Sequence, residues 1–212
     1  MESFPRHQCL IYEGAPSRHL PAMAAVAREK LHQNYRCLYL NSPPMVAGMR
    51  SYMAAAGVDI AHEVGKGSLV MSSERSHLAE GRFDVERMLL GLEEAIQQAL
   101  RDGYAGLWAT GDMTWELGEG KDFSKLLEYE WRLEKIFGKY PELSGICQYH
   151  ASTMPREAMR HGLVAHPSIF FNETLSMVNP HYVRLERFSS AEAQNAELDS
   201  VIGRLCHPEG VF

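Results

Sequence analysis

The chain has 212 residues, 45% of them apolar and 23% charged, which predicts one globular domain over residues 1–212. Its net charge of −6, with no stretch rich in Lys and Arg, argues against direct binding to nucleic acid. No apolar run approaches the roughly 20 residues that span a bilayer, and no signal peptide is recognisable, so we expect a cytoplasmic protein without a membrane partner.

Short apolar runs alternate with longer helical patterns along the chain. This alternation predicts an α/β fold in three layers, with a mainly parallel sheet flanked by helices. The predicted strands are 8–12, 37–41, 68–72, 105–110, 144–149, 168–171 and 182–188. The predicted helices are 19–33, 44–56, 84–102, 122–137, 155–161 and 190–205. The last strand and helix, within 182–206, are expected to extend the same domain.

The junction after the first predicted strand lacks a phosphate-binding loop. Residues 13–19 read EGAPSRH, whereas nucleotide-binding α/β proteins carry G-x-x-x-x-G-K-[ST] at this point. Two other segments resemble that motif, at 65–68 and 118–121, but the first precedes a predicted strand and the second lacks the motif's first glycine. We therefore expect no nucleotide hydrolysis and no catalytic residues.

Ligands of open parallel sheets bind beyond the carboxyl ends of the strands. The loops at those ends are rich in polar and aromatic side chains, so we predict that a ligand crevice lies among them. The predicted ligand-binding residues are Tyr12, Glu13, His19, Asp112, Trp115, Glu116, Glu130, Tyr149 and His150.

Glu130 stands out because it projects from the apolar face of the predicted helix 122–137. A bare buried carboxylate costs several kcal/mol, so Glu130 must be hydrogen-bonded, paired, protonated or hydrated. One interpretation is a structural ion pair or a carboxylate that caps backbone groups. The other is a carboxylate that lines a buried ligand pocket and has a raised pKa.

The four cysteines are widely spaced, and in the absence of a secretory signal we expect reduced, buried thiols rather than disulfides. A metal site formed by His7, Cys9 and Cys147 is the weaker interpretation, because no C-x-x-C or H-x-x-x-H pair occurs. We expect His166, before Pro167, to lie in a turn with its imidazole bonded to the backbone. No cofactor is predicted.

Several segments, taken in order, resemble the MEDS domain, the methanogen/methylotroph sensory domain of the dichloromethane-responsive regulator and of many histidine kinases. The resemblance spans residues 6–185, and two positions depart from the family pattern: His150, where Asp is usual, and Glu134, where Asn is common. The matching segments are HQCLIY at 7–12, LYL at 38–40, GSL at 67–69, GRFD at 81–84, GLWATGDMTW at 106–115, LEYE at 127–130, CQY at 147–149, HP at 166–167 and NPHY at 179–182.

The resemblance implies a RecA/KaiC-like core with a degenerate Walker A motif and a role in sensing small molecules. Our leading hypothesis is a stand-alone sensory domain without ATPase activity, which binds a small, largely apolar or carbonyl-containing ligand and regulates a signalling protein partner or transcription. A homodimer formed through the last helix is a further option. The alternatives are a nucleotide-binding protein that does not hydrolyse its ligand, a ligand-free interaction module, and a metalloenzyme.

Overall fold

The structure, a computed structural model, describes residues 6–118, 123–183 and 202. Seven strands form one sheet, and two short strands form a separate antiparallel hairpin. The strands are β1 (His7–Tyr12), β2 (Tyr35–Leu40), β3 (Leu69–Ser72), β4 (Leu78–Ala79), β5 (Arg82–Phe83), β6 (Gly106–Asp112), β7 (Leu143–His150), β8 (Ser168–Asn172) and β9 (Leu175–Val178).

The order in the large sheet is β3-β2-β6-β7-β1-β8-β9. Every neighbouring pair is parallel except β8 and β9, which are antiparallel. The carboxyl ends of β1, β2, β6 and β7 therefore meet at one edge, as the sequence predicts for a mainly parallel sheet.

Helices cover both faces of the sheet, which confirms the three-layer α/β fold. They are α1 (Leu20–His32), α2 (Pro43–Ala55), α3 (Ile60–Lys66), α4 (Val85–Arg101), α5 (Met113–Glu116), α6 (Leu126–Lys139) and α7 (Arg156–Ala165). One core lies between the sheet and α1 and α2, and a larger core lies between the opposite face and α4, α6 and α7. No helix in the described part of the chain is long and apolar enough to cross a membrane.

The strands explain how these two cores are filled. Successive side chains of a strand point to opposite faces, so every second residue enters the same core. In β7, Cys147 and Tyr149 enter the larger core, whereas Ile146 enters the smaller one. This alternation separates residues that are neighbours in sequence, and it decides which predicted site residues can meet.

Six of the seven predicted strands and the first five predicted helices are present, with ends shifted by a few residues. Tyr182 and Val183 lie outside any strand, and the rest of the predicted strand 182–188 and the predicted helix 190–205 fall outside the described residues, apart from Ile202. Strands β4, β5 and β9 and helices α3 and α5 were not predicted from the sequence. The segment at 65–68 joins a helix to a strand, as expected, and Gly67 ends α3 at φ 80°.

Helix α4 offers a direct test of the larger core. Ile96 is fully buried on this helix, whereas Leu90 on the same helix is 58% exposed. We expect Ile96→Ala to lower the free energy of unfolding by about 2–5 kcal/mol, because it leaves a cavity. Leu90→Ala should change it by less than about 0.5 kcal/mol. Urea unfolding followed by circular dichroism measures both, and equal losses would contradict the observed orientation of α4.

Candidate functional site

The residues predicted to bind ligand lie in three places rather than around one crevice. Tyr12 and His150 are paired in register on adjacent strands and share one face of the sheet. Tyr149, one residue earlier, points to the other face, into the larger core with Glu130. Tyr12 and Tyr149 therefore do not face the same space, because alternation along β1 and β7 places the two side chains on opposite faces of the sheet.

The first group is a hydrogen-bonded cluster at the strand ends. The Tyr12 hydroxyl donates to Asp112 Oδ2 at 2.8 Å, and its ring lies 4.3 Å from the ring of His19 and 4.9 Å from that of His150. His19 Nε2 is 2.7 Å from Gln148 Oε1. Burial raises the pKa of Tyr12 and lowers that of His19, so both side chains are neutral at pH 7. Most polar atoms of the cluster are hydrogen-bonded, although the buried His19 Nδ1 has no hydrogen-bond partner among the described residues.

The loop that follows β1 turns a carbonyl group toward these strand ends. His150 Nε2 donates to the carbonyl oxygen of Gly14 at 2.8 Å, and Gly14 has a φ of 83°. A phosphate-binding loop instead points its N–H groups at the ligand. Glu13 is exposed and takes no part in the cluster.

The second group borders a cavity of about 430 Å³ between α4, α6 and the larger-core face of the sheet. Its floor consists of small residues, Ala109, Gly111 and Gly145, together with Cys147. A Cβ atom at Gly145 would lie 2.5 Å from the carbonyl oxygen of Ala109, so the strands leave no room for a side chain there. Small residues at these positions help to keep the space beneath the two helices open. The lining also includes Leu38, Leu40, His77, Met88, Leu92, Met113, Glu116, Tyr129, Leu133 and Phe137, and the exposed side chains of Glu74, Ser76, Arg87 and Glu94.

Glu116 is the buried carboxyl group of this cavity, with 2% of its side chain exposed. Its Oε1 atom rests against Gly111, where a Cβ atom would lie only 1.7 Å away. Its Oε2 atom has no hydrogen-bond partner among the described residues. Burial, and then the charges of Glu130 and Asp112, raise the pKa of Glu116 well above its ordinary value. The raised pKa favours the protonated carboxyl group, which can donate a hydrogen bond.

Trp115 is adjacent to Glu116 but is not part of the cavity lining. Its ring lies 5.5 Å from the ring of His77, and the Arg75 guanidinium lies 5.6 Å from it. His77 donates from Nε2 to the backbone carbonyl of Glu116 at 2.8 Å. His77 thus lines the cavity and fixes the segment that carries Glu116. His77 is not among the ligand-binding residues predicted from the sequence, and only its position in a loop at the end of a strand suggests a role at this site.

The third group surrounds Glu130, which is fully buried on α6. The Tyr149 hydroxyl donates to Glu130 Oε1. Burial raises the pKa of Glu130 to about 8, the charge of Glu134 adds to the rise, and the bond from Tyr149 opposes it. Glu130 is hydrogen-bonded, as the structural interpretation expects, and its pKa is raised, as the ligand-pocket interpretation expects. Glu130 does not line the cavity.

Three further side chains surround the second oxygen of Glu130. Glu130 Oε2 lies 3.5 Å from His166 Nε2 and 3.8 Å from His7 Nε2, and Cys147 Sγ lies 3.6 Å from His7 Nε2. His7 and Cys147 are among the metal ligands considered from the sequence, whereas His166 is not. Its predicted bond to the backbone is confirmed, because His166 Nδ1 donates to the Gly162 carbonyl. Cys9 is a buried free thiol and does not belong to this group of four.

Fold and site together define an α/β domain with a ligand-sized, partly open cavity and no phosphate-type loop after its first strand. The sequence profile of the MEDS family, described as the methanogen/methylotroph, DcmR sensory domain, matches residues 6–167. The chain belongs to this family, and the family indicates a sensory or signalling role. No curated protein matches the sequence.

Proposed function

We propose that the chain is a small-molecule sensor whose ligand occupies the cavity beside Glu116. The observation that carries the proposal is the unpartnered Oε2 atom of Glu116 beside a partly open cavity with a mostly apolar lining. A buried polar atom without a partner costs free energy, and a ligand that accepts a hydrogen bond from it recovers that loss.

The cavity favours a particular class of ligand. Its volume of about 430 Å³ suits a small molecule, since such sites commonly measure roughly 300–1,000 Å³. The apolar lining favours a largely hydrocarbon body, and the protonated Glu116 favours one acceptor group such as a carbonyl or ether oxygen. An anion would meet a carboxyl group at the same point and is disfavoured. This chemistry narrows the sequence-based hypothesis of an apolar or carbonyl-containing ligand.

We further propose that the core of this chain is RecA-like and has lost ATPase activity. The parallel strands and the strand–loop–helix junction after β1 are compatible with such a core, and the Gly14 carbonyl occupies a position where a phosphate cradle presents N–H groups. A signalling partner, or a second copy of the chain, would respond to ligand binding. Helix α6 is a suitable transmitter, because it lines the cavity through Tyr129, Leu133 and Phe137.

Methionine methyl groups provide the test, because they report on both cores in one experiment. Met88 and Met113 line the cavity, whereas Met23 and Met53 are buried in the other core. With the chain labelled at methionine methyls, we expect methyl butyl ketone to shift the NMR signals of Met88 and Met113 and to leave those of Met23 and Met53 unchanged. The parent alkane n-hexane should bind less tightly, and hexanoate should bind least.

Two substitutions at Glu116 separate hydrogen bonding from packing. Glu116→Gln keeps a donor and should retain ketone binding. Glu116→Met keeps the approximate volume without a donor and should weaken binding about tenfold, the equivalent of one hydrogen bond. Equal affinities for the ketone in both variants would contradict the proposal. Shifts confined to Met23 and Met53, or a response to ATP with magnesium at His19 and His150, would favour a different site.

A further inference from the structure

Four donor groups of three chemical kinds converge in the larger core, beside the cavity. They come from separate parts of the fold: His7 from β1, Glu130 from α6, Cys147 from β7 and His166 from the junction between α7 and β8. One ligand atom from each lies within 4.8 Å of all the others, and none of the four side chains is more than 7% exposed.

Three of the six separations between these atoms are close to those around a tetrahedral ion. Zinc bonds of about 2.0–2.3 Å in tetrahedral geometry place ligand atoms about 3.3–3.6 Å apart. Cys147 Sγ and His7 Nε2 are 3.6 Å apart, and His166 Nε2 and Glu130 Oε2 are 3.5 Å apart. His7 Nε2 and Glu130 Oε2, at 3.8 Å, need to move together by only a few tenths of an ångström.

Both histidines are oriented as metal ligands by their other ring nitrogen. His166 Nδ1 lies 2.5 Å from the Gly162 carbonyl oxygen, which can only accept, so the proton is on Nδ1 and Nε2 carries a lone pair. His7 Nδ1 donates to Glu134 Oε2 at 2.6 Å, with the same consequence. A carbonyl or carboxylate behind each imidazole is the usual arrangement around zinc-binding histidines.

Without an ion, two buried polar atoms at the centre of this group lack a partner. His166 Nε2 and Glu130 Oε2 have no hydrogen-bond partner among the described residues, and His7 Nε2 has only the weak S–H donor of Cys147 at 3.6 Å. Tyr149 already satisfies Glu130 Oε1, which leaves Oε2 directed at the other three groups. Buried polar atoms are seldom left in this state, and a cation would satisfy all of them at once.

We propose that His7, Glu130, Cys147 and His166 bind one divalent ion of the zinc class in tetrahedral geometry. A thiolate and a carboxylate neutralise the two charges of the ion, which a fully buried site requires. The mixture of sulfur, imidazole and carboxylate ligands in fourfold geometry suits zinc better than magnesium or calcium. Because the protein supplies all four ligands, the ion has a structural role and no open position for substrate.

The ion also bears on the cavity. Cys147 belongs to both the donor group and the cavity floor, and the ring of Phe137, which lines the cavity, stacks on His7 at 4.2 Å. The ion would tie α6 to β1 and β7, and so fix the position of one cavity wall. This inference does not depend on what the cavity binds.

Metal content and coordination of the unsubstituted chain are the first test. We expect about one equivalent of zinc to remain after dialysis of protein loaded with zinc chloride. X-ray absorption at the zinc edge should show one sulfur at about 2.3 Å and three nitrogen or oxygen ligands at about 2.0 Å. Folded protein that retains no stoichiometric zinc, or a shell without sulfur, would overturn the proposal.

Cobalt substitution then assigns the ligands. The cobalt form should show the intense visible bands of a tetrahedral site and a thiolate-to-cobalt charge-transfer band in the near ultraviolet. Cys147→Ser should remove the charge-transfer band, and His166→Gln should weaken metal binding at least tenfold. Cys37→Ser is the matched control, because Cys37 is an equally buried free thiol in the other core, and its cobalt spectrum should be unchanged. A charge-transfer band that persists in Cys147→Ser and disappears in Cys37→Ser would refute the assignment.

Discussion

Gly111→Ala should lower the free energy of unfolding by about 3 kcal/mol and abolish ketone binding in the cavity. The added Cβ atom would lie 1.7 Å from Glu116 Oε1, much closer than any van der Waals contact. The carboxyl group is buried and cannot simply swing into solvent, so either the side chain or the strand must shift. Urea unfolding measures the stability loss, and the Met88 and Met113 methyl signals measure ligand binding.

Gly138→Ala is the matched control for this prediction. Gly138 lies in α6, and a Cβ atom there would meet nothing within 4 Å. Alanine in a helix is favoured over glycine by about 1 kcal/mol, so this variant should be slightly more stable and should bind the ketone normally. If Gly111→Ala behaved like Gly138→Ala, the proposed contact between Gly111 and Glu116 would be absent in solution.

The strands that form the centre of the sheet could be predicted because each is a short apolar run bounded by turn residues. The missed elements carry weaker patterns. Strand β9 is an edge strand with mostly exposed side chains, including Leu175 and Val178, so no buried face marks it in the sequence. Helix α3 has no buried residue, although its ends are marked by Asp59, which accepts from the His62 N–H, and by Gly67.

The candidate sites could be predicted from the sequence only in part. The burial of Glu130 followed from helical periodicity, because its apolar neighbours on α6 define the inward face. Its partners could not be predicted in the same way, since the parallel pairing of β1 with β7 brings together residues about 140 positions apart. No spacing in the sequence links His166 to Glu130 and its other neighbours, because only the packing of α7 and β8 brings His166 to them. The cavity itself depends on small residues, Ala109, Gly111 and Gly145, whose common face appears only when β6 and β7 pair.

Glu116→Gln should make the protein progressively more stable than the unsubstituted chain as the pH rises above about 5. Burial and the charges of Glu130 and Asp112 raise the pKa of Glu116 in the folded state, whereas in the unfolded chain the group titrates near 4.5. Above that value the folded chain holds a proton that the unfolded chain has released, so each pH unit up to the folded-state pKa favours unfolding by about 1.4 kcal/mol. The stabilisation from Glu116 is complete below pH 4.5 and is lost as the pH rises through the folded-state pKa.

The difference between the two unfolding curves isolates Glu116, because every other titratable group is present in both proteins. We expect the free energy of unfolding of Glu116→Gln minus that of the unsubstituted chain to grow by up to about 1.4 kcal/mol per pH unit. Glu74→Gln is the control, since Glu74 is exposed at the rim of the same cavity and is solvated in folded and unfolded chains alike. Its curve should stay parallel to that of the unsubstituted chain. A parallel curve for Glu116→Gln as well would show that Glu116 is ionised in the fold, and the cavity would then favour a cationic ligand over a hydrogen-bond acceptor.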